Sequence, residues 1–252
     1  VGQGNAVLVR TATHTLVYDA GPRYSLESDA GHRVLVPLLR ALGERVDTLV
    51  LSHRDSDHTG GAGAVLAMQR GAALLSSIEE GHELQGARTA MRCQAGQAWD
   101  WDGVRFELLH PAAADYGAPK KSNAMSCVLR VQGGGRTALL VGDIEAEQER
   151  ALVAVHGNAL RANVLLVPHH GSRTSSTLDF VDAVRPDWAL IQSGYRNRFG
   201  HPVPEVLARY TARGVRVADS PRCGAMRWNS AQPDALRCER AHAARYWHHR
   251  LP

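Results

Sequence analysis

The chain has 252 residues, 44% of them apolar, with 29 basic and 25 acidic residues and a formal net charge of +4. That much apolar material can close a substantial core and sets aside a disordered chain. The absence of any run of 18 uninterrupted apolar residues sets aside a membrane-spanning helix, and the modest positive excess permits a polyanionic partner without demanding one.

The first residues lack the basic head, apolar middle and small-residue cleavage site of a signal peptide. They start at Val1 inside a glycine-rich phrase, which points to a segment cut from a longer chain. GQGNAVLVRTATHTLVYDAG reads as two strands, Ala6 to Arg10 and His14 to Tyr18, the second stopping at Asp19. A helix is predicted from Val34 to Leu42. RVDTLVLS is an apolar, β-branched run suited to an interior strand, and GAGAVLAMQRG is rich enough in Ala and Leu for a helix. Between them lies LSHRDSDHTGG, residues 51 to 61, with two histidines and two aspartates in six positions.

AALLSS, TAMRCQAG, VRFELLHP, SCVLRVQG and RTALLVGD follow as strand-like runs, then EAEQERALVAVHG as a helix ending at Gly157. ANVLLVPHHG repeats the pattern of an apolar run ending in histidines. DFVDAVRP, DWALIQSG, PEVLARYTARG and VRVADS give a helix, strand, helix, strand succession, and GAMRWNS to RYWHHRLP one more strand or hairpin with a polar end. This mixture predicts a layered α/β fold in one domain, 1–252, and disfavours a bundle or solenoid. Its long basic loop, residues 110 to 126, carries Lys120 and Lys121 and is either a solvated excursion or a functional loop. None of the four cysteines has C-x-x-C spacing. Cys127 alternates with apolar neighbours as a small buried hydrophobe would, whereas Cys223 and Cys238 either bridge two late strands or stay as thiols.

Four apolar runs stop in reactive residues: Asp19, then His53 to His58, then Asp143, then His169 and His170. Loops at strand C-terminal edges converge in layered α/β folds, so these positions can meet. In an extended start, His53, Asp55 and Asp57 share one side, and a turn brings His58 round. The bland alternative is an aspartate cap with exposed histidines. Imidazole and carboxylate together suit a divalent ion, and no nearby thiolate competes. Asp143 can bridge two ions or merely cap the next helix. Of His169 and His170, one can bind metal while the other holds a phosphate oxygen or supports the site, although HHGSRTSS is also ordinary helix-start material. His201 can assist a leaving oxygen or serve only in a turn. Arg173, Arg196, Arg198 and Arg222 are possible phosphate clamps or plain surface residues. Trp99, Trp101, Trp188, Trp228 and Trp247 can stack bases, but burial is the commoner use of tryptophan.

VGQG, LVYDAG, LSHRDSDHTGG, LLVGD, LLVPHHGS and GHPVPEV, in this order from Gly2 to about Trp228, resemble the metallo-β-lactamase-like hydrolase domain of the ComEC family of competence proteins. The resemblance implies a four-layer αββα sandwich with metals at one edge of its inner sheets. Matched to the superfamily motif His-x-His-x-Asp-His, His53 takes the first place, Asp55 replaces the second histidine, and Asp57 and His58 take the last two. Asp143 matches the aspartate shared between metals, His170 the late histidine, and Asp19 a supporter of the metal loops. Where a middle histidine is expected, the loop offers Asn123 and Ser126, as ComEC relatives do. Asp55 and neutral oxygens shift the preference for one or two divalent ions toward Mn²⁺, with Zn²⁺ or Mg²⁺ as alternatives.

The resemblance further implies hydrolysis of phosphodiesters in the single DNA strand that is not imported during transformation, with Asp57 and His201 catalytic. Lys120, Lys121 and the late arginines would neutralise its phosphates. The implied partners are single-stranded DNA and the membrane-channel and other domains of the same parent chain. The parent would lie in the cytoplasmic membrane with this domain, monomeric when isolated, on the periplasmic or extracellular side. A hydrolase of small phosphoesters or lactams, and a DNA-guiding domain without catalysis, are the competing functions.

Overall fold

A computed structural model describes residues 1–118 and 120–245. The polar end RYWHHRLP, with Trp247, lies almost wholly outside them.

β1 (Val7–Arg10) returns as β2 (Thr15–Tyr18), and a small ribbon, β3 (Arg23–Ser25) with β4 (Ser28–Asp29), follows. β5 (Thr48–Leu51), β6 (Ala73–Ser76) and β7 (Met91–Arg92) then run parallel to β2, giving a sheet in the order β1-β2-β5-β6-β7. β8 (Ala98–Trp101), β9 (Val104–His110), β10 (Val128–Gly133) and β11 (Arg136–Leu140) form an antiparallel meander. β12 (Val164–Leu166), β13 (Trp188–Ile191) and β14 (Arg216–Asp219) extend it in parallel, so the second sheet runs β14-β13-β12-β11-β10-β9-β8. β15 (Met226–Trp228) and β16 (Leu236–Cys238) form a late hairpin, followed by a helical turn, Glu239–His242.

TLVY and TLVL, the sequences of β2 and β5, are buried at every position, as parallel strands covered on both faces must be. Alternate side chains then feed different cores. Val17, Leu49, Leu51 and Leu74 face outward to the helices Val36–Leu42 and Ala62–Met68, where Leu39, Val65 and Leu66 meet them. Leu16, Tyr18, Val50 and Leu75 face inward against Phe106, Leu108, Leu129 and Leu140 of the second sheet. On the far side, Leu139, Leu165, Ala189 and Ile191 pack on the helices Ala146–His156, Leu178–Val184 and Pro204–Thr211 through Leu152, Phe180, Val181, Val206 and Tyr210. Three apolar layers between two sheets and two sets of helices make the expected αββα sandwich.

Three local expectations need correction. The first α-helix runs from Val36 rather than Val34 to Leu42, and a wider turn, Gly31–Leu35, precedes it; there Gly31 crosses Gly61 so closely that a Cβ would sit 2.1 Å from the Gly61 carbonyl oxygen. TAMRCQAG contributes only Met91–Arg92 as strand. Cys127 is buried but is no free hydrophobe: it forms a disulfide with Cys93, with Cα atoms 5.9 Å apart, where the ends of the two sheets meet. The Cys223–Cys238 bridge, open from sequence, is present, with Cα atoms 4.5 Å apart.

Candidate metal centre

Each strand C-terminal edge delivers its reactive residue to one place. Asp19 follows β2, His53 follows β5, Asp143 follows β11 after two residues, and His169 and His170 follow β12. Asp19, His169 and His170 all take left-handed backbone angles, with φ of 59°, 50° and 53°. Non-glycine residues hold such angles only where their surroundings fix them. For Asp19 the fixing partners are the Ser52 backbone N–H and hydroxyl, which donate to its carboxylate at 2.7 and 2.9 Å. One helical turn, Ser56–Thr59, swings His58 round to face the same carboxylate.

Three imidazoles turn a lone pair toward this place. His58 donates its Nδ1 hydrogen to Asp19 Oδ2 at 2.8 Å, and His170 donates its own to the Gln192 carbonyl at 2.7 Å. The Ser52 hydroxyl, already spending its hydrogen on Asp19, accepts from His53 Nδ1 at 2.9 Å. With Nδ1 protonated, each Nε2 is an acceptor. His53 Nε2, His58 Nε2 and Asp143 Oδ1 are buried without a hydrogen-bond partner. Asp57, His58, Asp143 and His170 each offer a donor atom within 4.8 Å of the others. His58 Nε2 lies 3.2 Å from Asp143 Oδ1, and His170 Nε2 lies 3.2 Å from Asp57 Oδ2 and 3.5 Å from Asp143 Oδ2. Buried acceptors aimed at one another are costly, and a divalent cation satisfies them together; the residues fit such an ion.

The protonation equilibria point the same way. Burial opposes charge on Asp143, yet His58 and His170 hold its carboxyl well below the ordinary range. Burial also opposes charge on the two imidazoles, but Asp143 and Asp19 push His58 well above its usual value, and Asp143 with Asp57 raise His170. Asp55 is pulled down to about 2, chiefly by the neighbouring His53. The cluster therefore calls for positive charge, from protons or from a metal.

Residues 1–194 match the metallo-β-lactamase superfamily. The chain belongs to this superfamily. Among its relatives, the "Competence protein ComA" of Neisseria gonorrhoeae is 40% identical over 228 residues, covering 90% of this chain and 31% of that one. "Recombination protein 2" of Haemophilus influenzae is 33% identical over 241 residues, covering 96% of this chain and 29% of that one. The chain thus spans about a third of the length of these curated relatives. The metallo-β-lactamase fold protein YhfI of Bacillus subtilis superposes with a TM-score of 0.53 at 17% identity, covering 86% of this chain and 88% of that one, which shows the fold.

The other superfamily-motif positions lie around the four-residue group. Asp55 is nearly half exposed, its Oδ2 3.6 Å from His53 Nε2. His169 Nε2 lies 3.8 Å from Asp143 Oδ2 and 3.5 Å from the Asn123 amide nitrogen, while its Nδ1 faces Thr174 and Glu145. Ser126 is fully buried; its hydroxyl accepts from the Asp143 backbone N–H at 3.0 Å and lies 3.4 Å from His53 Nδ1, behind the imidazole rather than in front of it. His201 stands beyond His169 with ring centroids 5.7 Å apart, and burial followed by the nearby His169 and His170 lowers its pKa.

The proposed DNA-contacting cations divide into two kinds. Lys120 pairs with Asp115 at 2.7 Å, Arg173 with Glu205 at 2.9 Å and Arg222 with Asp219 at 2.6 Å. Lys121, Arg196 and Arg198 are exposed and make no ion pair among the described residues. The four described tryptophans are half-buried and engaged: Trp99 and Trp101 pack on Phe106, and Trp188 and Trp228 both donate to the Pro233 carbonyl.

Sequence reading missed three supports of the site. Ser52 links Asp19 to His53. Gln192, beyond the end of β13, orients His170 with its carbonyl and brackets the Ala6 backbone with its side chain, accepting from Ala6 N–H at 2.8 Å and donating to Ala6 carbonyl at 3.1 Å. Gly4 lies against the Asp57 loop so tightly that a Cβ would fall 2.2 Å from the Asp57 carbonyl oxygen. Gln192 ends an apolar strand, so the rule that singled out Asp19 and Asp143 applies to it as well.

Proposed function

We propose that this is a metal-dependent phosphodiesterase domain that degrades single-stranded DNA during natural transformation, as one part of a longer membrane protein and on the outer side of the cytoplasmic membrane. The observation that carries the proposal is the convergence of the unpartnered His53 Nε2, His58 Nε2 and Asp143 Oδ1 with Asp57 and His170 where strand ends of the two sheets meet. The kinship with competence proteins that are about three times longer supports the setting.

Asp57, His58, His170 and Asp143 would hold one divalent ion, and His53 and Asp55, sharing Asp143, a second and weaker one. Mn²⁺ suits this carboxylate-rich set, with Zn²⁺ or Mg²⁺ as alternatives. An ion held there supplies charge for the attacked phosphoryl oxygens and makes water acidic enough to attack near neutral pH. Asp57, a third exposed and with its Oδ2 3.2 Å from His170 Nε2, takes the proton of the attacking water and orients it. His201, whose lowered pKa keeps it neutral, donates a hydrogen bond to charge developing on the leaving oxygen. Lys121, Arg196 and Arg198 meet the backbone phosphates.

The test is a cleavage time course on single-stranded DNA labelled at either end, with Mn²⁺, Zn²⁺ or Mg²⁺ added to metal-stripped protein. One of the ions restores cleavage, and Asp57→Asn abolishes it while leaving the fold intact. A protein that takes up metal but cuts no DNA with any of the three ends the nuclease proposal for this domain.

A further inference from the structure

Where the superfamily pattern expects a middle histidine, the loop before β10 brings Asn123 and Ser126, and neither fills that place. Ser126 lies behind His53, 3.4 Å from its Nδ1. Asn123, in the short turn Asn123–Met125, sets its amide nitrogen 3.5 Å from the Nε2 of His169. One short stretch of loop thus adjoins both imidazoles, although His53 follows β5 and His169 follows β12. His169 Nε2 lies 3.8 Å from Asp143 Oδ2, yet His169 is not one of the four residues whose donor atoms are all mutually close. It reaches the shared aspartate from outside that group.

His169 is also prepared as an acceptor. Thr174 donates its hydroxyl hydrogen to Glu145 Oε1 at 2.9 Å, which leaves the hydroxyl oxygen to accept from His169 Nδ1 at 3.1 Å. Glu145 Oε1 itself stands 3.4 Å from the same Nδ1. With two acceptors around Nδ1, the ring carries its hydrogen there and turns a lone pair at Nε2 toward Asp143. The backbone holds the ring in place: His169 has a φ of 50°, and its N–H donates at 3.1 Å to the carbonyl of Gly142, the residue before Asp143. A lone pair facing a carboxylate oxygen is the arrangement already met at His58 and His170, and a cation satisfies it. The Asn123 amide, at the limit of hydrogen-bond reach, is a loose partner by comparison.

We infer that His169 is a ligand of the second ion, standing in for the missing histidine from a different strand, with Glu145 and Thr174 as its positioning residues. This deepens the two-ion reading proposed above and rests on it, but not on the cleavage of DNA. The two adjacent histidines then divide their service. His170 holds the ion shared with Asp57 and His58, and His169 the ion shared with His53 and Asp55. Asp143 belongs to both, its Oδ2 3.5 Å from His170 Nε2 and 3.8 Å from His169 Nε2. His53 Nε2, buried without a partner and 3.6 Å from Asp55 Oδ2, gains in this ion the positive charge that the protein does not offer it.

Counting ions tests it. Metal-stripped protein is titrated with Mn²⁺, and the free ion is read from its electron paramagnetic resonance signal. The wild-type chain takes up two ions, one more tightly than the other. His169→Gly, which accepts the left-handed backbone without strain, takes up only one, with the tighter affinity unchanged. Thr174→Val keeps the shape of the side chain but breaks the link from Glu145 to the imidazole, and it weakens the second ion alone, by roughly 10- to 100-fold. Equal weakening of both ions in these variants, which a merely structural role predicts, overturns the assignment. So do two ions at unchanged affinity in both variants, and a single ion in the wild type. Because the readout is metal uptake, DNA cleavage supported by one ion would uphold the nuclease proposal while this inference fails, and two-ion uptake that depends on His169 in a protein that cuts no DNA would do the reverse.

Discussion

Asp19 does not join the four-residue metal group; it acts through His58, whose Nδ1 hydrogen it accepts at 2.8 Å. Partners of this kind fix both tautomer and ring orientation, so Asp19→Asn should lower metal affinity by roughly 10- to 100-fold, read by competition with a chromogenic chelator. An unchanged affinity would mean that His58 is oriented by packing alone. Protons compete for the same imidazoles. In the metal-free protein the carboxylates hold His58 well above, and His170 above, the ordinary histidine value, so both keep a proton at pH values where a free histidine has lost it. Metal affinity is therefore expected to climb as pH rises through and beyond that ordinary value, levelling only above the raised ones. Calorimetry in buffers of different ionisation enthalpy counts the protons released, and a flat profile refutes the competition. Reactive positions were readable in the sequence because apolar runs ended on them. Ser52 was not, since a serine's role depends on which acceptor its hydrogen already serves.

Elements act on the centre through their ends. The segment holding Asp57 packs on Gly4, which has a φ of 143° and no room for a Cβ. Gly4→Ala forces either the backbone or the Asp57 loop to move, at a cost of about 1–3 kcal/mol for the strained conformation alone. Thermal unfolding should show the lowered stability, and the displaced loop should weaken metal binding as well; full retention of both would show that the loop yields freely. Strand and helix order was largely legible from apolar periodicity and glycine punctuation. The Cys93–Cys127 bond was not, because it depends on how two sheets stack rather than on either sequence neighbourhood, and the alternating pattern around Cys127 is equally that of a buried apolar residue. TAMRCQAG likewise reads as a strand, but only Met91 and Arg92 pair in register with β6 at the sheet edge.

At the scale of the molecule, the metal cluster is assembled from both halves: Asp57 and His58 come after a strand of the first sheet, Asp143 and His170 after strands of the second. An ion there joins the two sheets. Saturating metal, at about 100 times its dissociation constant, should add about 2.7 kcal/mol to the stability of the metal-free chain. Calorimetric scans with and without chelator measure this, and Asp143→Asn should remove most of the gain; a melting temperature indifferent to metal contradicts the shared site. Periodicity gave the layered α/β class, but several architectures share that order of elements, and the αββα arrangement was reached only through motif resemblance. Which side chain faces which core depends on strand pairing across long sequence gaps. One bracket bears on how the whole would fail under load. Gln192 grips the backbone at Ala6 with its amide while its own carbonyl steers the His170 ring, so peeling the leading strand outward would twist that imidazole in the same motion. A tug on this edge would silence the chemistry before the sandwich came apart.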